Sequence, residues 1–292
     1  MSSRLPITKT PKCYVGGAFI RSESGRTFPL KNAAGEFVGH IPQCTRKDLR
    51  NAVEAAAKAG PGWAKRTPYN RGQILYRLAE MLEARSAEMT SALEIADATP
   101  SSRRSAEREV PAAVDRLIYY AGWADKYEQV LGNVNPVAAP YFNFTVTEPM
   151  GIVGILAPDE APLLALVSLF APAIVSGNTV VALASETQPY PAIVLGEMLA
   201  TSDLPGGVVN LLTGFRNELV PTFATHAHLR AVSGVASAGD RKTLQLGAAD
   251  SVKRVKLSKA EEPPDWFADE AQSLYAIRDL LEFKTTWHPV GA

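Results

Sequence analysis

From residue 151 onward, apolar runs short enough for strands alternate with apolar stretches of helical length. Residues 151–156, 179–183, 208–212 and 229–232 read as strands. Residues 162–176, 191–200 and 218–225 read as the helices between them, and one more helix follows a turn at 234–239. These strands are apolar at successive positions rather than at every second one. Both of their faces must therefore be buried, as in a parallel sheet covered by helices on either side. The predicted fold class is α/β, a doubly wound, Rossmann-like parallel sheet.

One stretch, 161–185, carries no charged residue and is long enough to suggest a membrane span. Pro172, Gly177 and Asn178 divide it into a helix and a strand, so it is read as buried core and no membrane partner is expected. The 30 Lys+Arg balance 30 Asp+Glu, leaving no electrostatic footprint for nucleic acid. The two cysteines, Cys13 and Cys44, cannot supply a disulfide framework or a zinc site of paired Cys-x-x-Cys spacing. They fit a reducing cytoplasm, and MSSRLPITKT lacks the apolar core of a secretory signal.

The first half reads differently. Residues 13–21 form a short strand element with a Gly16-Gly17 turn, and 36–41 form another strand. Thr45 and Asp48 make a capping-box pattern for a helix with Leu49, Val53, Ala56 and Ala57 on its apolar face, ended by Gly60-Pro61-Gly62. Thr67-Pro68 starts a second helix carrying Ile74, Leu75, Leu78 and Leu82, and a third spans 106–125. After a loop at 132–140, the run 141–147 is aromatic and β-branched, as in a strand. Near the end, 258–270 reads as a linker, 274–281 as a short helix and 282–287 as a strand with an exposed face.

Several segments, in order, resemble the aldehyde dehydrogenase superfamily. YVGGAFIRSESGRTFPLKNAAGEFVG is similar to its first hairpin and PGWAKRTPYNRGQILYRLAEMLEAR to its early helical pair. EPMGIVGILAP, SGNTVVALASE, LPGGVVNLLTG and LRAVSGVASAG resemble its coenzyme-domain strands and turns, and LEFKTTWHP its C-terminal strand. The resemblance implies a coenzyme-type Rossmann-like domain over 1–136 and 149–258, with a small antiparallel β oligomerisation arm over 137–148 and 281–292. Residues 259–280 stand where the family carries its catalytic domain, roughly 150 to 200 residues.

The same resemblance assigns chemical positions. The family's nucleophile is a cysteine that forms a thiohemiacetal, and no cysteine follows Cys44. Its oxyanion-stabilising asparagine is matched by Glu160 in Pro158-Asp159-Glu160-Ala161-Pro162; a carboxylate only accepts and would repel an oxyanion. Read more simply, Asp159 and Glu160 precede a helix whose N-terminus favours negative charge. The general-base glutamate is matched by Gln245, which takes no proton at neutral pH.

For the coenzyme, the resemblance keeps Glu186 at the adenosine ribose but puts Leu183 where the family has lysine. Gly234-Val235-Ala236 replaces a Gly-Ser-Thr turn ahead of the pyrophosphate helix, and Gly239 is retained. The expectation is no coenzyme, or NAD bound only weakly. His226-x-His228 has metal-compatible spacing on a strand but no third ligand, and its match to a His-Pro-Asp segment reads as a loop; no metal is expected. His40 and His288 are given no role. Tyr141, Phe142, Phe144, Phe283 and Trp287 are the arm's interface candidates, although Phe283 and Trp287 read equally well as ordinary core.

The function this implies is a catalytically defective aldehyde-dehydrogenase-like pseudoenzyme, similar to the non-catalytic second module of double-length aldehyde dehydrogenases. It would act as a structural or regulatory subunit with a full-length aldehyde dehydrogenase or by self-association through the arm. The alternatives are an NAD(P)-binding oxidoreductase subunit that borrows a partner's catalytic domain, and a nucleotide-binding sensor.

Overall fold

A computed structural model describes residues 9–32, 34–95 and 100–291. Residues 1–8, which carry most of the segment read against a secretory signal, lie outside the described residues, as do Ala33, 96–99 and Ala292.

The strands are β1 (Cys13–Val15), β2 (Ala18–Ile20), β3 (Thr27–Lys31), β4 (Phe37–Pro42), β5 (Asn133–Asn135), β6 (Tyr141–Pro149), β7 (Ile152–Leu156), β8 (Thr179–Leu183), β9 (Val209–Leu212), β10 (Leu229–Ala236), β11 (Arg254–Lys259) and β12 (Leu281–Pro289). The helices are α1 (Arg46–Ala64), α2 (Pro68–Ala84), α3 (Ser86–Glu94), α4 (Pro100–Trp123), α5 (Tyr127–Leu131), α6 (Pro162–Val175), α7 (Tyr190–Thr201), α8 (Arg216–Thr225), α9 (Ala238–Ala249) and α10 (Leu274–Arg278), with a short 3-10 turn at Asp269–Ala271.

The main sheet runs β11-β10-β7-β8-β9-β1-β2. Its five strands from β11 to β9 are parallel, and the β1–β2 hairpin extends the β9 edge antiparallel. Alternate side chains enter two separate cores. Val153, Ile155, Val180, Ala182, Val209 and Leu211 face α2, α4, α6 and α7. Ile152, Leu156, Val181, Leu183, Leu212 and Val232 face α1, α8 and α9. Two cores on one sheet explain why the strands are apolar at every position.

The capping box at Thr45 forms as expected. Asp48 accepts from Thr45 N at 2.7 Å, Ser22 Oγ at 2.9 Å and Glu23 N at 2.9 Å, which fastens α1 to the first hairpin. The stop expected at Gly60-Pro61-Gly62 is corrected: α1 continues to Ala64. Trp63 supplies the reason, since its buried ring donates Nε1–H to Ile174 O at 2.8 Å, and this tertiary anchor outweighs the helix-breaking residues.

Two further corrections concern the arm and the linker. β5, assigned by sequence to the coenzyme-type portion, is the third strand of the arm sheet, whose order is β12-β6-β5. The segment from 254 to 259 is a strand, β11, that parallels β10 at the sheet edge, so its last two residues, Ser258 and Lys259, fall within the segment read as linker.

Residues 260–280 fold back on the helical layer. Buried Arg116 on α4 donates to Trp266 O at 2.9 Å, to Ala271 O at 2.9 Å and to Ser168 Oγ on α6. At the segment's end, Asn178 donates to Leu280 O at 2.8 Å, and Leu281 is buried. One buried cation thus holds the segment that stands where the resemblance implies a missing domain. Arg116→Ala is expected to lower the unfolding free energy by about 2–4 kcal/mol, because two carbonyls lose their donor. It should also open 260–280 to proteolysis. Urea denaturation with limited proteolysis checks both, and unchanged stability with unchanged cleavage would refute the anchoring role.

Candidate functional site

The sheet changes direction between β7 and β10: β8 and β9 follow β7 on one side, while β10 and β11 lie on the other. In an open parallel sheet, ligands bind outside the strand carboxyl ends at such a switch point. Here the crevice is bounded by the loop after β7 (157–161), the loop after β8 (184–189) and the N-termini of α8 and α9. Close approach of the two central strands needs glycine: a Cβ on Gly234 would lie 2.1 Å from Leu156 O, and its φ is +139°.

The loop after β7 is tied to the loop after β8 by Asp159. Its carboxylate accepts from Ser185 Oγ at 2.6 Å and Thr187 N at 3.2 Å, and its carbonyl accepts from Gln188 Nε2 at 3.1 Å. Asp159 is therefore a loop clamp and does not cap α6. That role belongs to Glu109 of α4, 3% exposed, whose Oε1 accepts from Leu163 N at 2.7 Å and Leu164 N at 3.0 Å. Ala161, between clamp and helix, has φ +46°, a left-handed conformation disfavoured for a non-glycine residue preceding proline. Glu160 is exposed beside it.

Glu186 is half-buried, and its Oε2 accepts from the backbone N–H of Arg216 at 2.7 Å, capping the first turn of α8. The Arg216 guanidinium reaches across the switch point, donating Nη1–H to Val235 O at 2.7 Å and Nη2–H to Ala157 O. The turn expected at 234–239 is shorter than predicted. Gly234, Val235 and Ala236 remain in β10, and α9 begins after Ser237, whose hydroxyl accepts from Asp240 N at 3.1 Å. Gly239 lies exposed in the first turn of α9, where a side chain would meet only Ser237 Oγ at 3.9 Å.

Gln245 is not brought to the crevice. It is exposed on α9, about 10 Å along the helix from the crevice end at 1.5 Å per residue. The residues that the edge strand delivers there are Ser258, in register with Val235, and Lys259, in register with Ala236.

Both cysteines are buried at the other end of the sheet. Cys13 on β1 and Cys44 ahead of α1 have sulfurs 3.4 Å apart, with Thr213 Oγ1 3.3 Å from Cys13 Sγ. The hydrogen bond with Cys13, and then burial, hold the Cys44 thiol well above its ordinary value. Three strand spacings of about 4.8 Å separate β1 from β7, so neither sulfur reaches the crevice. His226 and His228 lie in the turn before β10 with ring centroids 6.0 Å apart, and His228 N donates to His226 Nδ1 at 3.3 Å.

On the arm, β12 pairs with β6 from Leu281↔Pro149 to Pro289↔Tyr141. Register places Tyr141, Phe283 and Trp287 on one face, and Phe142 and Phe144 on the other. The rings form two pairs, Tyr141 with Trp287 at 5.8 Å and Phe142 with Phe144 at 5.5 Å. Trp287 is 57% exposed and Phe283 46%, which decides against their reading as ordinary core.

A switch-point crevice of this architecture, followed by an arm strand, is matched by comparison with known proteins. Residues 19–260 match the model of the "Aldehyde dehydrogenase family". The chain belongs to the aldehyde dehydrogenase family. It is 33% identical over 260 residues to an aldehyde dehydrogenase of Alternaria alternata, covering 88% of this chain and 52% of that protein. It is 33% identical over 274 residues to retinal dehydrogenase 2 of Gallus gallus, covering 92% and 52%. Among solved structures it is similar to the NAD+ complex of an aldehyde dehydrogenase from Bacillus cereus, with a TM-score of 0.81 and 26% identity over 86% of this chain and 51% of that one. The chain thus spans about half the length of the relatives it matches.

The fold places Glu186 and Gly234, both named from the sequence, at the crevice, together with Arg216 and Ser258, and Glu109 at the nearby α6 N-terminus, which the sequence did not single out. Arg216 was findable as a cation at the first position of a helix following a sheet strand, where the crevice lies. Glu109 gave no local signal, because its partners are more than fifty residues away.

Glu109 generates a pH test. Burial, opposed by the two backbone hydrogen bonds, raises its carboxyl above the ordinary value. The native state then holds this proton to higher pH than the unfolded chain. Its contribution is full below the ordinary pKa of about 4.3 and falls as pH climbs through the raised value. Glu109→Gln keeps the acceptor and removes the titration, so the stability of wild type relative to this variant should decrease with rising pH across that window. Glu109→Ala should lose about 2–4 kcal/mol at neutral pH. Parallel pH profiles for wild type and Glu109→Gln, measured by urea denaturation, would contradict the assignment.

Proposed function

We propose that this aldehyde dehydrogenase family chain is catalytically defective on its own and acts by association, as a structural or regulatory subunit with a full-length aldehyde dehydrogenase. The observation that carries the reading is the placement of sulfur. The only cysteines are Cys13 and Cys44, buried three strands from the switch point, with the Cys44 thiol held protonated at neutral pH. Family chemistry needs a thiolate beside the coenzyme's reacting end, and no residue of this chain supplies one. The family's general-base carboxylate is also replaced at the candidate positions: Gln245 is an amide, and neither Ser258 nor Lys259 is a carboxylate. The buried reduced thiols fit the cytoplasm.

The arm supports association. The outer edge of β12 has no strand partner among the described residues, and exposed aromatic side chains flank it on both faces. Such an edge offers backbone groups and apolar area to a second chain. In the first reading that chain is a full-length relative whose catalytic domain accepts the arm; a second copy of this chain is the competing outcome.

A second reading, an NAD(P)-binding oxidoreductase subunit using a partner's catalytic domain, draws support from the retained switch point, Gly234 and Glu186, and from similarity to the NAD+ complex of an aldehyde dehydrogenase and to PnpE in complex with nicotinamide adenine dinucleotide. We favour the first. Leu183 is apolar where the family resemblance places a lysine, Glu186 is taken up by the Arg216 N–H, and Asp240 puts a carboxylate in the first turn of α9, where a pyrophosphate would sit.

Two measurements test this. The isolated protein, given NAD or NADP and a panel of aldehydes, is expected to make no reduced coenzyme; aldehyde-dependent turnover would refute the defective reading. Co-expressed with a full-length relative, the chain is expected to co-elute with it in size-exclusion chromatography with light scattering. Because Leu281 is core, the arm is tested with Phe283→Lys combined with Trp287→Lys rather than by truncation. That variant should weaken co-elution at least tenfold in concentration dependence, about 1.4 kcal/mol. Homo-oligomers that never co-elute with the relative, of a size unchanged by the double variant, would overturn the association.

A further inference from the structure

We infer that Arg216 is an internal bolt that closes the dinucleotide crevice, so that coenzyme binds only by displacing it. The inference rests on the crevice being of the coenzyme type, as the fold and family indicate, and adds what controls access to it.

A dinucleotide at a switch point lies across the carboxyl ends of the two strands that flank it, with phosphate against helix N-termini. In this chain the Arg216 side chain already lies across those strand ends. Arg216 Nη1 donates to Val235 O of β10 at 2.7 Å, and Nη2 donates to Ala157 O immediately after β7. The same residue's backbone N–H takes Glu186 Oε2 at 2.7 Å, so the carboxylate that the family resemblance assigns to the ribose is committed to the helix. The bridge joins β7, β10, the loop after β8 and α8 through a single half-buried side chain.

The alternative is that Arg216 recruits an anion. Its geometry argues against that role, because both terminal nitrogens donate to backbone carbonyls and point into the sheet edge rather than into open solvent. A guanidinium that forks onto two carbonyls is held in place by its planar geometry. The α9 N-terminus, the other anion-binding feature here, has Ser237 Oγ on Asp240 N and the Asp240 carboxylate in its first turn.

The test is calorimetric titration of NAD and of ADP, as separate probes, into wild type, Arg216→Ala and Arg216→Met, with circular dichroism melts to establish folding. Removing two hydrogen bonds that the ligand must otherwise break is expected to tighten NAD binding about 10- to 100-fold in both variants. Arg216→Lys, which cannot fork onto both carbonyls, should show a smaller gain in the same direction, and it carries the test if the larger truncations do not fold. Equal or weaker binding in the variants, or no binding by any of them, would overturn the bolt. These outcomes are separate from the fate of the non-catalytic reading, which fails only on aldehyde-dependent turnover by the wild-type chain.

Discussion

The parallel pairing of β7 with β10 is the contact on which the rest of the molecule depends. It brings strands distant in sequence side by side, register running from Ile152↔Leu229 to Leu156↔Gly234, and sends the connections to opposite faces. The two cores follow from it, as does the crevice where the loops after β7 and β10 diverge. The pairing also dictates composition at its end: Gly234 has no room for a Cβ beside Leu156, and where the β7–β10 register stops, the carbonyls of Ala157 and Val235 lie within reach of one guanidinium. Unpaired carbonyls at a partly buried site demand a donor. In this chain Arg216 is that donor.

The same logic applies where the family's catalytic domain would attach. Residues 260–280 cover the helical layer, held by Arg116 and closed by the Asn178 contact to Leu280. The helical layer beside the crevice is therefore covered by the chain itself, and the arm continues from Leu281. What stays uncovered is the arm, with an unpaired β12 edge and exposed Phe283 and Trp287. In the proposed reading, Arg216 closes the crevice and the arm is the surface left for association.

The sequence predicted most of the sheet because burial on both faces leaves short, continuously apolar runs that alternate with apolar stretches of helical length. Strands β7, β8 and β9 and helices α6 and α7 fall within two residues of the expected bounds. It misplaced elements whose stability comes from elsewhere. α1 crosses Gly60-Pro61-Gly62 because Trp63 is anchored on Ile174, and β11, not among the strands assigned from the sequence, is defined by its pairing with β10. At the site, Glu186 and Gly234 were visible by resemblance, whereas the partners of Glu186 and the reach of Arg216 depend on loops that only the fold brings together. Gln245 was matched to a chemical position on a similar short motif, and its exposed place on α9 removes it from the crevice.

The central claim is that the crevice at the β7–β10 switch point is occupied by the chain's own arginine and not by coenzyme. A crystal structure determined after soaking with NAD at millimolar concentration tests it most directly. The account predicts Arg216 still bridging the carbonyls of Ala157 and Val235, Glu186 still on the Arg216 N–H, and no coenzyme density in the crevice. Ordered dinucleotide there, with Arg216 turned out to solvent and Glu186 on the ribose, would contradict it.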